Sequence, residues 1–169
     1  MTNTPMAIAN EFLKQPNALC RLTQMQVLKL TYIAHGWNLA VNGTPLINEA
    51  VNAWDYGPVT RSLYDHIKFY GTQPITRLIS DTDDDRYRFF GDKHGRPSTP
   101  YVASLKASET DVISRVWNRY GRYSGIELSN MTHRPGTPWF ETYFNVGRNA
   151  VIPNDRIKAH YIDLAKAVA

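Results

Sequence analysis

Cysteine is almost missing from this chain: Cys20 is the single one among 169 residues. One thiol excludes an internal disulfide and a multi-cysteine zinc site, and it suits a reducing cytoplasm. Long apolar runs are missing as well. No stretch of about 18 apolar residues occurs, which excludes a spanning helix. The segment Met1 to Lys14 has no basic stretch followed by a long apolar one, so no secretory leader is expected. Internal repeats and low-complexity tracts are absent. So are the G-x-x-x-x-G-K-[ST], G-x-G-x-x-G and H-E-x-x-H patterns that bind phosphate, dinucleotides or zinc. Gly121-Arg122-Tyr123-Ser124-Gly125 is one place off a G-x-S-x-G elbow and follows no long strand, so it marks no hydrolase. His35, His66, His94, His133 and His160 lack metal-ligand spacing and read as hydrogen-bonded structural or surface groups. Neither a metal nor a cofactor is expected.

What is present points to one soluble domain over residues 1–169, located in the cytoplasm. A chain of this length buries roughly 70% of its unfolded surface and needs no covalent staple. The net charge is +4, unevenly spread. Residues 1–85 hold six basic and eight acidic side chains; residues 86–169 hold thirteen and seven. The basic half reads as a solubilising surface or as a face for an acidic partner. Tyr and Trp (14) outnumber Phe (6), which suits core edges and protein interfaces, including those of a homo-oligomer.

The expected fold is α+β and predominantly helical, with six or seven helices and one small β-hairpin. A first helix is predicted over Met6–Gln15, stopped by Pro16. A second opens at Thr23 and ends at Asn42-Gly43. It is apolar nearly all round, which marks a central helix; Gln24, Thr31, His35 and Asn38 form its one polar arc. Lys29 lies on the apolar side, as a stem snorkelling at the rim or as an internal paired charge. Residues 44–57 read as irregular, and Gly57-Pro58 as the start of a third helix closed by Gly71, with Leu63, Ile67 and Tyr70 inward. Ile75–Ser80 and Arg86–Phe90 read as the two arms of the hairpin, and Asp81–Asp85 as its solvated tip. Residues 91–107 read as a loop. Ser108 is expected to cap a helix reaching Arg122, with Arg115, Arg119 and Arg122 as an exposed basic stripe. Ser124-Gly125-Ile126-Glu127 is a capping box. Pro138-Trp139-Phe140 starts another helix, and Asn154 caps the last, about 154–168, with Ile157, Tyr161, Leu164 and Val168 sharing a face.

Three stretches carry more than composition. They are Ala9-Asn10-Glu11-Phe12-Leu13 followed by Leu22 to Gly36, which holds Leu28-Lys29-Leu30-Thr31-Tyr32-Ile33-Ala34-His35-Gly36, then Ala53-Trp54-Asp55-Tyr56-Gly57-Pro58-Val59 with Leu63-Tyr64, then Leu128 to His133 followed by Pro138-Trp139. In this order and spacing the chain resembles the Panacea-domain family, also described as SocA-like or GepA-like, over about residues 7–144. Where members of that family often have an acidic residue after the Thr-His pair, this chain has Arg134-Pro135-Gly136-Thr137. The resemblance implies a prokaryotic or phage-borne antitoxin, a protein-binding module that neutralises a toxin encoded beside it. It implies a cognate toxin as partner and, for SocA-like members that act as proteolytic adaptors, a cellular protease. It singles out Lys29, Tyr32, His35, Trp54, Tyr56, Gly57, Pro58, Thr132, His133 and Trp139 as structural or partner-binding positions. Arg115, Arg119 and Arg122 are candidates for the partner-facing surface. No catalytic residue is expected; an enzyme built on His35 or His133 ranks last. The alternative is a phage or mobile-element regulator that binds nucleic acid, although no helix-turn-helix with a basic recognition helix is legible.

Overall fold

The computed structural model describes residues 2–84 and 97–168. Among them are seven α-helices and a three-stranded antiparallel sheet. The expected strand Arg86–Phe90, Asp85, His94 and part of the expected loop lie outside the described residues.

Helix α1 covers Pro5–Leu13. Thr4 Oγ1 accepts from the Ala7 amide at 3.2 Å, and Pro5 supplies a first-turn residue that needs no amide partner. Helix α2, Gln24–Asn42, runs through the middle of the molecule. Gln26 Oε1 accepts from the Thr23 amide at 2.9 Å to open it, and Gly43, at φ +72°, closes it in the left-handed region. Around α2 pack α1, α3 (Arg61–Ile67), α4 (Ala107–Tyr120), α5 (Gly125–His133) and α7 (Asn154–Ala167). Helix α6 is Pro138–Asn145. The nearly all-round apolarity of α2 follows from this surround: Val27, Leu30, Ile33, Ala34 and Leu39 are all buried.

The polar arc of α2 does not face water. His35 and Asn38 are buried and receive the loop that follows the helix. The Leu46 amide donates to His35 Nδ1 at 3.3 Å, and Asn38 Nδ2 donates to Thr44 O at 2.8 Å. His35 and Asn38 thus have partners, whereas Thr31 Oγ1 and Gln24 Oε1 in the same arc are buried with none among the described residues.

The sheet corrects two expectations. Residues 44–57 are not all irregular, and Gly57-Pro58 does not start a helix. Strand β1 is Val51–Trp54 and strand β2 is Gly57–Val59. They form a hairpin with Trp54 opposite Gly57 and Ala53 opposite Pro58. Proline is tolerated because β2 is an edge strand. Strand β3, Val151–Ile152, pairs on the other side of β1. The third helix begins later, at Arg61, where Glu49 Oε1 accepts from the Ser62 amide at 2.9 Å. Leu63 and Ile67 point inward as expected.

The hairpin expected at 74–90 is not built on Ile75–Ser80. The backbone of that segment is claimed by distant residues. Asn10, buried in α1, donates from Nδ2 to Ile79 O at 2.9 Å and accepts from the Ile79 amide at 2.8 Å. Ile75 exchanges bonds with Cys20 and Leu22, and Ser80 bridges to Pro100. The acidic turn is not wholly a solvated tip either. Residues Asp81–Asp83 form a 3-10 turn, and Asp83, only 3% exposed, takes the Ser80 amide at 2.8 Å and Arg77 Nη2 at 2.6 Å.

Two helix starts shift. Lys106, not Ser108, precedes α4; Glu109 Oε2 accepts the Lys106 amide at 2.8 Å. Asn154 does not cap α7, because its Oδ1 lies 2.9 Å from His35 Nε2. Val168, past the end of α7, is 59% exposed and leaves the face shared by Ile157 and Tyr161. No helix among the described residues is long and apolar enough to cross a membrane.

Candidate functional site

The second and third motif stretches meet at the β1–β2 hairpin. Its turn carbonyls each face a side-chain nitrogen or hydroxyl from elsewhere in the chain. Trp139 Nε1 on α6 donates to Trp54 O at 2.7 Å. His133 on α5 places Nε2 3.2 Å from Asp55 O. Ser129 Oγ, also on α5, donates to Tyr56 O at 3.0 Å. Lys29 Nζ on α2 donates to Pro58 O at 3.3 Å. The Pro58 contact is buried and those to Trp54 and Tyr56 are half-buried, where an unpaired carbonyl costs up to about 1–3 kcal/mol, so they hold the turn; the Asp55 contact is exposed and adds less.

Gly57 explains the tightness of the fit. Its φ of +114° lies in the region that favours glycine, and a Cβ there would stand 2.8 Å from Lys29 Cε and 3.1 Å from Thr132 Oγ1. Thr132 is itself fixed by donating to Ser129 O at 2.8 Å. His133 packs edge-on against Trp139, with ring centroids 4.0 Å apart. Tyr143 stacks on the other partner of that pair, 4.6 Å from the Trp139 ring.

The outer side of the turn is held by charge. Asp55 accepts from Tyr143 Oη at 2.8 Å and from Arg148 Nε at 2.8 Å. The Arg148 guanidinium, then the Tyr143 hydroxyl, hold the Asp55 carboxyl below the usual carboxylate range. Tyr56, at the tip, is 74% exposed. At the end of α6, Phe144 is 63% exposed, and Val146 just beyond it is also exposed. A cleft of about 440 Å³ opens on the inner side, between the hairpin, the first turns of α2, and Tyr64 on α3.

Lys29 does not snorkel at the rim. It is 1% exposed, and burial pulls its pKa from 10.5 down to about 7. The internal reading holds, but the partner is the Pro58 carbonyl rather than a carboxylate.

Tyr32 and His35 stand apart from the hairpin. Tyr32 is buried edge-on to Tyr161, and burial pushes its phenol up. His35 joins α2 to the 44–46 loop and to the start of α7. Its pKa is lowered by burial, against an opposing pull from the Asn154 hydrogen bond. The arginine stripe is partly engaged within the molecule. Arg115 Nε pairs with Asp111 at 2.8 Å, Arg119 lies over the Tyr120 and Trp37 rings, and Arg122 is exposed.

Sequence reasoning passed over Ser129, Tyr143 and Arg148 as site residues. Ser129 sits inside the third motif stretch and was legible there. Arg148 carries no sequence signal, since 93 positions separate it from Asp55.

Comparison with known proteins follows the same lines. The profile of the family described as "Antitoxin SocA-like, Panacea domain" matches residues 27–140. That span holds the ten singled-out positions from Lys29 to Trp139, while the first part of the first motif stretch lies before it. The chain is 30% identical over 134 residues to a protein named Antitoxin SocA from Caulobacter vibrioides (strain NA1000 / CB15N). The alignment covers 79% of this chain and 66% of that relative. No solved structure matches the chain.

Proposed function

Since the chain belongs to the SocA-like Panacea-domain family, we propose that it is an antitoxin that neutralises a co-encoded toxin by direct contact through the β1–β2 hairpin tip. One observation carries this reading: Lys29, Ser129, His133 and Trp139, all within the motif stretches, bond to carbonyls of the hairpin, and the turn lifts Tyr56 into solvent. A rigid turn loses little conformational entropy on binding. An exposed tyrosine at the tip of a held turn is the kind of group that anchors protein interfaces. The same accounting supports a binding role over a catalytic one. Trp139, His133, Ser129 and Lys29 are each bonded to a backbone carbonyl. Ser129 Oγ also lies 3.1 Å from His133 Nδ1. The hydroxyl is donated to Tyr56 O, however, and Nδ1 lies 2.6 Å from Ser129 O, so both groups are spent on the turn and on α5 rather than set up as nucleophile and base.

The test is co-expression with the product of the adjacent gene. That product is expected to arrest growth alone, to be silenced by the wild-type chain, and to co-purify with it. Tyr56→Arg is expected to keep the fold, because the ring is exposed, and to lose both silencing and co-purification. A neighbour that is harmless alone, or a Tyr56→Arg chain that still silences, sinks the proposal. The same strains report the toxin's fate. An unchanged half-life marks occlusion, and a shortened one marks delivery to a protease.

A further inference from the structure

We propose that the cleft beneath the β1–β2 hairpin receives one carboxylate side chain of the toxin, flanked by apolar neighbours, with Lys29 as its counter-charge. The proposal rests on the antitoxin reading for the identity of the partner, not for the chemistry of the cleft.

The cleft walls are apolar: Met25 and Leu28 from α2, Trp54 and Val59 from the hairpin, and Tyr64 from α3. Lys29 lines the same cleft while being 1% exposed. An ammonium carries three donors. Among the described residues Pro58 O takes one of them, at 3.3 Å, and no carboxylate lies within ion-pair distance. A buried cation without a counter-ion is unfavourable, and an arriving carboxylate removes that penalty. The low Lys29 pKa is what such an unmatched site produces.

A second group in the cleft is also unsatisfied. Gln24 Oε1 is buried with no hydrogen-bond partner, while its Nε2 donates to Gly71 O at 2.8 Å. It offers an acceptor to a peptide N–H beside the acidic residue. The charge of the cleft sets the class of ligand. One lysine faces it without an arginine, and Asp55 stands at its edge. The Asp55 charge is matched by Arg148, so the one unmatched charge in the cleft is a single lysine, which fits one monoanionic carboxylate rather than a phosphate dianion.

The experiment uses two capped tripeptides, acetyl-Leu-Glu-Leu-amide and acetyl-Leu-Gln-Leu-amide, added to the full chain carrying lysine labelled with carbon-13 at Cε. The Glu peptide is expected to shift the Lys29 resonance saturably and to bind at least about tenfold more tightly than the Gln peptide. Lys29→Met is expected to abolish the difference between the peptides. Equal binding of the two peptides, or no shift of Lys29 at millimolar peptide, overturns the proposal. Because the peptide pair is compared on the wild-type chain, the result stands even if Lys29→Met folds poorly. A parallel titration uses the co-encoded protein. If it binds wild type and Lys29→Met equally, the cleft assignment fails and the antitoxin reading survives. If the Glu peptide binds and the co-encoded protein does not, the antitoxin reading fails and the carboxylate site survives.

Discussion

Trp139 and Trp54 are joined by one hydrogen bond, from the indole Nε1 of the first to the backbone carbonyl of the second, at 2.7 Å. The bond ties α6 to the last residue of β1, one position before the turn. Trp139→Phe keeps an aromatic ring in place and removes the donor. The expected result is a loss of about 1–3 kcal/mol in urea denaturation, from the orphaned carbonyl and the smaller ring. Helix content by circular dichroism should be unchanged, while toxin binding weakens. A variant with wild-type stability would show that the turn is held without this bond.

Gly57, the one glycine of the hairpin, is expected to be harder to replace than Gly71. Gly57→Ala meets both an unfavourable φ of +114° and the Lys29 stem 2.8 Å away. Strain of this kind costs on the order of 1–3 kcal/mol for the backbone, and the collision adds to it. Gly71 also has positive φ, at +57°, but a Cβ there meets nothing within 4 Å. At ψ −122° Gly71 is also outside the left-handed helical region, so Gly71→Ala should show the backbone cost, on the order of 1–3 kcal/mol, without the collision. Thermal midpoints of the two variants decide the ranking.

Gly36 lets α2 and α7 touch. A Cβ on Gly36 would stand 2.1 Å from Tyr161 Cε2, inside any permitted contact. Gly36→Ala is expected to lose roughly 3 kcal/mol or more by overpacking. Combining it with Tyr161→Ala, which clears the ring, should recover part of that loss. A double variant no better than the sum of the two singles would show that the contact is not the cause.

The pH dependence of stability separates two buried bases. Lys29 has its folded pKa depressed from 10.5 to about 7. Between these values the unfolded chain binds the proton and the folded chain does not, so stability rises with pH. The slope is at most ~1.4 kcal/mol per pH unit, the value for one proton. The charged or titratable groups facing this region are Asp55 and Tyr56 at the turn, Tyr64 on α3 and His133 on α5. Denaturation of wild type and Lys29→Met from about pH 7 to about pH 9 tests it, since the variant should lack the rise. Above about pH 10 the raised phenol of Tyr32 acts in the opposite sense.

His35 governs the acid side. Its folded pKa lies below 6.5, so its contribution is complete above 6.5 and is lost as pH falls toward the folded value. Stability should drop on acidification below about pH 6.5, and His35→Asn should flatten that limb. A wild-type chain whose stability is constant across the window would contradict the neutral, hydrogen-bonded His35 seen here.

The sequence by itself determined the helices whose ends are closed by near neighbours. Thr23 with Gln26, Ser124 with Glu127 and Thr137 with Phe140 bond across three positions. The bonds that stop α2 at Gly43 are equally local. Such signals survive in a one-dimensional reading because the partners are fixed by spacing. The mainly helical character and the central place of α2 were legible for that reason; the motif positions came from the resemblance to a family, not from local spacing. The β1–β2 hairpin was not. Gly57-Pro58 satisfies the first turn of a helix as well as an edge strand, and only the pairing of Trp54 with Gly57 decides between them. Ile75–Ser80 has strand composition, yet Asn10, Cys20 and Leu22 take its backbone bonds. Lys29 could be placed on the apolar side of α2 but not underneath Pro58, since that depends on a strand 29 residues away. What only the tertiary structure decided is where the polar atoms of the motifs are spent. Their partners are remote in the chain, and a buried group takes whichever partner the packing brings to it.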